Sequence, residues 1–426
     1  DQRDDLRIGD GNVFRGLLGG DQALKLYPGT TRPSRLVPDT LGDGVTRVFT
    51  SQAITSGTAR VGAAFARDWR ADVRLEAFGA NGIPTPGDLY QAATAFPGNG
   101  RKDVDRTGVS AEVARQAGTW RPLLRVYRTE ERQGFFNRPD TGRFVNFRGN
   151  VLTDGVQLQA AATRGVLSLV TGADYARTRQ TSRRFSSPTA QVGTFSPDAQ
   201  VTSAAAFAEA RLADVDERVT ATLGARVDRV TLDLLATPFR PDVTPGREAF
   251  TTFNPNVGVR YRIGRGLVAH GTAGTAFLAP DAFARAGRST VVSGGLARIT
   301  VGNPTVAPER SATVDAGLGW ASRDGAVELD VTGFATSVQD RVTSTRASFA
   351  AGTRPTLPDG TPVSQVDTRV NAGTASLQGI EWTARYDLLR ARGSTKSLAL
   401  WTSGTRMLRA RELSPVVTVD GTPFQN

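Results

Sequence analysis

Apolar and polar residues alternate with period 2 along most of this chain, and the connections between the alternating stretches alternate between short and long. In Val219–Asp228, Val219, Ala221, Leu223, Ala225 and Val227 share one face, with Thr220, Thr222, Gly224, Arg226 and Asp228 on the other. Val257, Val259, Tyr261 and Ile263 likewise oppose Gly258, Arg260 and Arg262. Val327, Leu329 and Val331 oppose Glu328, Asp330 and Thr332, and Ile380, Trp382, Ala384, Tyr386 and Leu388 oppose Glu381, Thr383, Arg385 and Asp387. Short connections are expected near Asp68–Arg70, Gln116–Thr119, Thr163–Gly165, Ala213–Glu217, Gly264–Gly266, Ser322–Gly325 and Ala391–Gly393. Long ones are expected over Gly79–Thr107, Glu131–Gly155, Gln180–Gln200, Leu234–Phe253, Phe277–Pro308 and Ser344–Asn371, each between two short ones. The pattern predicts roughly thirteen strands between Gly57 and Arg411.

Tight turns at one rim and long loops at the other are the arrangement of an outer-membrane β-barrel, whose strands cross lipid with about 9–11 alternating residues. A soluble sandwich or propeller does not segregate loop length in this way. No window approaches the roughly 18 consecutive apolar residues of a membrane-spanning helix. The mean hydropathy of −0.26 suits strands with one polar face. Trp69 and Trp120 fall at short turns and Trp320 just before one, as an interfacial aromatic girdle requires, whereas Trp382 and Trp401 lie further away.

The chain has no Cys, which excludes a disulfide scaffold, thiolate metal sites and a Cys nucleophile. Its net charge is +11, almost all from Arg, since Lys25, Lys102 and Lys396 are the only lysines. These arginines alternate with apolar residues or scatter in loops, with no basic run to track a nucleic-acid backbone, so no nucleic-acid partner is expected. The opening DQRDDLRIGDG lacks the apolar segment of a secretory leader, so an exported protein is expected to be processed or partial here.

Few residues suggest catalysis. His270 is the only histidine, and a hydrolase built on it would need a nucleophile and a carboxylate from other strands. A wall or lumen role fits it better. Gly9–Gly16 and Asp39–Gly44 are glycine-rich, but they lack the strand–helix context of a phosphate loop and the closing Glu of a calcium loop, and read as turns. No cofactor and no metal site is expected.

Three motifs carry a resemblance. They are GTAFLAP (Gly274–Pro280), VGNPTVAPERSATVDAGLGW (Val301–Trp320) and VNAGTASLQGIEWTARY (Val370–Tyr386). In order and spacing they resemble the C-terminal barrel half of TonB-dependent outer-membrane receptors, well over 204–386 and more weakly over 57–179. Leu278 stands where that family usually has Arg, and Thr305, Val306 and Ala307 where Leu or Phe is common. The resemblance implies an all-β, transmembrane, antiparallel up-and-down barrel of 22 strands, of which residues 1–426 are expected to hold only part. Residues 1–56 read as loop-rich, and a plug domain, a TonB-interacting box and the last strands are not recognisable. It also implies an outer-membrane transporter and no enzyme. Such a receptor imports a scarce bulky nutrient, a ferric siderophore first, or else cobalamin, haem or an oligosaccharide. The energy comes from TonB, acting through the N-terminal region, and the barrel sits among membrane lipid and lipopolysaccharide.

By that resemblance Phe277, Pro280, Asn303, Pro304, Pro308 and Glu309 shape the exit and re-entry of a long loop. Asn371, Gly373, Gln378, Gly379 and Glu381 belong to the wall or lumen. Ligand contact is expected from Arg and aromatic residues of the long loops: Tyr90, Phe96 and Arg101; Phe135, Phe136, Arg138 and Arg143; Arg183, Arg184 and Phe185. Ordinary loop anchoring, or contact with lipopolysaccharide phosphates, is the alternative for each. A passive porin-like channel with Arg-rich constriction loops, a barrel-embedded hydrolase and a soluble all-β interaction protein are the competing functional readings.

Overall fold

The computed structural model describes residues 2–3, 52–84, 101–136, 144–413, 417–419 and 422–424. Fourteen long strands run β1 (Gln52–Ala66), β2 (Trp69–Pro84), β3 (Arg101–Arg115), β4 (Trp120–Phe136), β5 (Val145–Arg164), β6 (Leu167–Phe185), β7 (Ala199–Ala213), β8 (Val219–Leu234), β9 (Gly246–Gly264) and β10 (Leu267–Leu278), then β13 (Glu309–Ala321), β14 (Val327–Ser348), β15 (Val363–Asp387) and β16 (Ala399–Leu413). Between β10 and β13 lie a short helix α1 (Ala282–Ala286) and a hairpin, β11 (Arg288–Ser293) with β12 (Leu296–Val301). Each long strand pairs antiparallel with its neighbours in the chain, so the sheet is one meander. Among the described residues no ladder joins β16 back to β1. No helix is long and apolar enough to cross a membrane.

The register explains the alternation. Val219, Leu223 and Val227 of β8 face Tyr261, Val257 and Phe253 of β9. These side chains stand in the open, with Leu223 66% and Phe253 63% exposed. An apolar band that faces away from any core needs lipid to cover it. The opposite face carries the charges. Arg226 of β8 reaches Asp174 of β6 and its own strand's Asp228, both at 2.8 Å. Asp72 of β2 accepts from Arg60 at 3.0 Å and from Arg70 at 2.7 Å. The charged side is therefore the lumen side and the apolar side the outer one.

Tight connections close one rim, and their backbone shows why particular residues stand there. Arg265 and Gly266, at φ 53° and 84°, link β9 to β10 with two left-handed positions, the geometry that matches strand twist in a two-residue hairpin. A Cβ on Gly266 would lie 1.9 Å from the Ala321 carbonyl oxygen, so only Gly fits. Trp120 and Trp320 stand 50% and 38% exposed at this rim, and Trp320 Nε1 donates to the Arg265 carbonyl at 3.1 Å.

Two expectations need correction. The β15–β16 connection is longer than the sequence suggests, covering Leu388–Leu398 with a 3₁₀ turn at Arg390–Arg392. Asp387 organises it, accepting from the Arg390 and Leu398 amides at 3.1 Å and from the Ser397 hydroxyl at 2.5 Å. Most of the long loops, conversely, are shorter than expected. β2 continues to Pro84, β4 to Phe136, β6 to Phe185 and β14 to Ser348. Beyond the lipid both faces meet water, so the alternation lapses while the backbone ladder continues. Residues 85–100 and 137–143, and most of 1–51 with its glycine-rich turns, lie outside the described residues.

The lipid-facing assignment predicts a sharp asymmetry between neighbours. In the natural protein refolded into vesicles, Leu223→Arg should cost about 2–4 kcal/mol and Thr222→Gln under about 1 kcal/mol, read by urea unfolding. Equal costs would place Leu223 away from lipid.

Candidate functional site at the long-loop rim

Two arginines buried in the loop layer hold three connections together. Arg240 is 6% exposed in the β8–β9 loop; it donates to the carbonyls of Thr194 at 2.5 Å, Phe195 at 3.1 Å and Ala286 at 2.8 Å, and pairs with Asp242 at 2.8 Å. Arg285, 5% exposed in α1, donates to the Val306 carbonyl at 2.6 Å and to the Pro304 carbonyl, and meets Glu248 at 2.5 Å. A guanidinium carries five donors in a fixed fork, so one side chain can satisfy several loop carbonyls that have no ladder partner. Asp281 caps α1 by accepting from the Ala284 amide at 2.6 Å. Ala282 packs on Ala199 and Leu232, which face the lumen on β7 and β8. Phe283 of the same helix meets the Arg369 guanidinium of β15 at 5.6 Å. The β10–β13 loop thus folds inward across the mouth. Its hairpin is fixed by β12 pairing parallel with β15, over Ala297, Ile299 and Val363.

The motif residues surround this loop. Glu309 accepts from the Val342 amide at 2.8 Å, and Asn371 donates to the Asp340 and Ala307 carbonyls at 2.6 and 2.9 Å while accepting from the Ala307 amide at 2.6 Å. Asp340 has φ 56°, in a stretch where the β14–β15 register shifts at Arg341, opposite the buried Gly373. The two side chains therefore satisfy backbone groups that a bulge releases. Asn303 accepts from the Thr305 amide and hydroxyl at 3.0 and 2.7 Å. Pro304 offers its carbonyl to Arg285, and Pro280 is buried ahead of α1. Phe277 pairs with Arg310 in the last rungs of β10, and Pro308 precedes β13. Gly379 leaves room for the Phe334 ring, since a Cβ there would lie 2.7 Å from it. Glu381 faces the lumen, with the Thr405 hydroxyl at 3.5 Å.

The expected ligand residues do not form one loop site. Arg101, Phe135, Phe136, Arg183 and Arg184 lie in strands, because the ladders extend into the loops. Tyr90, Phe96, Arg138 and Arg143 lie outside the described residues. The strand residues divide between the two faces. Lys102, Phe135, Phe147 and Arg184 form one rung across β3–β6 on the lumen side. Lys102 Nζ stands 5.2 Å from the Phe135 ring, Phe135 and Phe147 meet edge to face at 5.6 Å, and Arg184 lies 4.3 Å over Phe195. Arg101, Phe136 and Arg183 take the outer parity, with Arg101 bonded to the Gly82 carbonyl at 2.8 Å and Arg183 to Asp198 at 2.9 Å. Phe185 also lies on the outer side, 5.8 Å from the Arg148 guanidinium. Lys102, Phe147 and Phe195 were not expected; carrying the β3–β6 register upward rung by rung is the signal that finds the first two.

Residues 44–424 match the family described as TonB dependent receptor-like, beta-barrel. The chain belongs to this family. Its members are transport receptors. Solved structures similar to it include the Serratia marcescens hemophore receptor HasR bound to its hemophore HasA and heme, at 16% identity and TM-score 0.63, covering 84% of this chain and 55% of that one. The copper transporter OprC gives 17% identity and TM-score 0.61 over 82% and 52%. The ferric yersiniabactin uptake receptor FyuA of Yersinia pestis gives 14% and 0.57 over 87% and 54%. The chain thus spans about half the length of these solved receptors. Curated protein sequences give no match.

The TonB-dependent receptor fold also gives His270 its setting. Its Nε2 lies 2.9 Å from Asp330 of β14, across β13, where Gly317 leaves the space. The Thr332 hydroxyl donates to Asp330 at 2.9 Å and not to the imidazole, so Thr332 is not linked to His270 as a nucleophile to its base. Among the described residues no three His, Asp or Glu side chains converge as a metal site.

The loop layer yields two predictions. Arg240→Ala strands three carbonyls and Asp242, a loss on the order of 3 kcal/mol of local stability, read as faster proteolysis within 186–198 and 279–308 with the wall strands intact. Unchanged cleavage would remove the stapling role. The Arg240 guanidinium also holds the Asp242 carboxyl below the usual carboxylate range. A depressed folded-state pKa gives stability that is complete above the ordinary Asp value of about 4 and is lost as pH falls through the lower folded value. Loop protection should therefore be flat from pH 5 to 8 and weaken only below about pH 4. Weakening near pH 6 would point to another group.

Proposed function

We propose that this chain is part of an outer-membrane receptor that imports a scarce, bulky nutrient, with a ferric siderophore as the ligand class and energy from TonB. Family membership supports the transporter, and the lumen-side rung of Lys102, Phe135, Phe147 and Arg184, with Phe195 against it, carries the ligand class. Cations interleaved with aromatic faces suit a flat, anionic chelate: guanidinium and ammonium groups neutralise its oxygens while its rings stack. The apolar band then lies in the outer membrane, among lipid and lipopolysaccharide. In this reading the ligand is bound and released with no bond broken, so the protein is a transporter and not an enzyme. Plug and TonB contacts belong to the rest of the receptor.

A passive channel is the second reading, and the inward fold of α1 favours it, because a loop folded across a barrel mouth also forms a constriction. Uptake of a radiolabelled ferric catecholate by cells producing the natural protein separates the two. Active import gives saturable uptake that a protonophore abolishes; uptake that is linear in concentration and indifferent to the protonophore contradicts it. Phe135→Ala and Arg184→Ala should each weaken ligand binding roughly three- to tenfold, with the barrel still folded.

A further inference from the structure

The outer face of β4–β8 carries an arginine cluster that neither the lumen nor the loop layer uses. On β4 the outward residues run Trp120, Leu124, Val126 and then Arg128. On β6 they run Leu167, Leu169, Tyr175 and then Arg177 and Arg179, and on β8 Val219, Leu223, Val227 and then Arg229. From the turn rim to the first arginine is thus 8 residues on β4 and 10 on β6 and β8. At about 3.3 Å per residue and a tilt near 40°, that is roughly 20–25 Å of height, the thickness of a barrel's apolar band. The arginines stand where lipid chains give way to headgroups, at the long-loop end.

The cluster is built. Arg128, Asp154 and Arg177 share one register row, and Asp154 holds both guanidiniums, at 3.4 and 3.6 Å. Two cations on one carboxylate leave a net positive charge facing out, with Arg128 59% and Arg177 52% exposed. Arg179 and Arg229 are exposed and have no carboxylate partner among the described residues. The same height on β2 and β3 offers Ala77, Gly79, Thr107 and Asp105 instead, so the cluster ends at β4 on that side. Tyr175 stands just below it, 47% exposed, an amphipathic ring at the band's edge.

We propose that this sector binds a phosphorylated glycolipid of the outer leaflet, its acyl chains on the Leu223–Val227 band and its sugar phosphates on Arg128, Arg177, Arg179 and Arg229. Charge complementarity selects the occupant: exposed guanidiniums directly above an apolar surface fit a ligand with phosphate directly above acyl chains, and a forked donor fits a phosphate bidentately. The inference rests on the barrel's place in the outer membrane and not on any imported ligand.

The natural protein, purified in detergent, is titrated with lipopolysaccharide whose lipid portion is intact or enzymatically dephosphorylated. Bound glycolipid is counted by native mass spectrometry, with heat-shifted gel mobility as the check on folding. The intact glycolipid should bind at least about tenfold tighter than the dephosphorylated one. Arg177→Gln with Arg179→Gln should erase that difference, and Lys at both positions should keep most of it. A folded, membrane-inserting protein that holds both glycolipids equally overturns the site and leaves the membrane reading standing. A protein that never inserts overturns both.

Discussion

Everything in this structure follows from the need to pair every backbone N–H and C=O group where no water can reach them. In lipid an unpaired peptide group costs several kcal/mol, and a sheet meets the requirement only through strand-to-strand ladders. The fourteen wall strands form such ladders, and their irregularities gather near the rims. Register shifts occur at Ala64/Ala66 and Arg262/Gly264 beside the turns, and at Ala80/Ile83, Phe135/Phe136 and Val338–Val342 towards the loops. There, water or a polar side chain can serve the released groups, as Glu309 and Asn371 do. The shift at Gln378/Gly379 is the exception within the wall.

Once the ladders are fixed, period 2 sorts the side chains into two solvents. The outer face keeps Val, Leu, Phe and Trp in lipid, and the lumen face must then hold the charge. Many lumen arginines accordingly pair with carboxylates on the same or nearby strands, as in Asp174–Arg226–Asp228, which helps an Arg-rich chain keep a stable interior surface. The same economy governs the loop layer, where Arg240 and Arg285 replace missing ladder partners with guanidinium donors. A mouth built on buried arginines is stiff where it is stapled, so a ligand would meet a preformed rim.

Alternation and the rhythm of loop length made the wall legible from sequence, down to strand faces such as Val219–Val227. They worked because one face of each strand is in lipid and the other in water, an environmental contrast that residue choice must follow. Above the band that contrast vanishes, so the ends of β2, β4, β6 and β14 looked like loop. The choice of candidate residues there is blind to face: Phe135 and Arg184 point to the lumen, Arg101 and Arg183 away from it. Helix α1 is only 5 residues long, too short to show a helical period, so its sequence reads as loop. The stapling arginines left no local mark, because their partners are backbone carbonyls brought close only by the fold. The family motifs point to the loop exit without disclosing the bulge, or that Glu309 and Asn371 serve its backbone.

The absence of Cys from this chain makes a direct test simple. Single Cys residues placed in turn from 219 to 228 in the natural protein, spin-labelled in bilayers, report contact with membrane-dissolved oxygen or with an aqueous nickel chelate. Labels at 219, 221, 223, 225 and 227 should respond to oxygen, and those at 220, 222, 224, 226 and 228 to the nickel chelate. A response that fails to alternate, or odd positions open to the aqueous reagent, would contradict a lipid-facing wall.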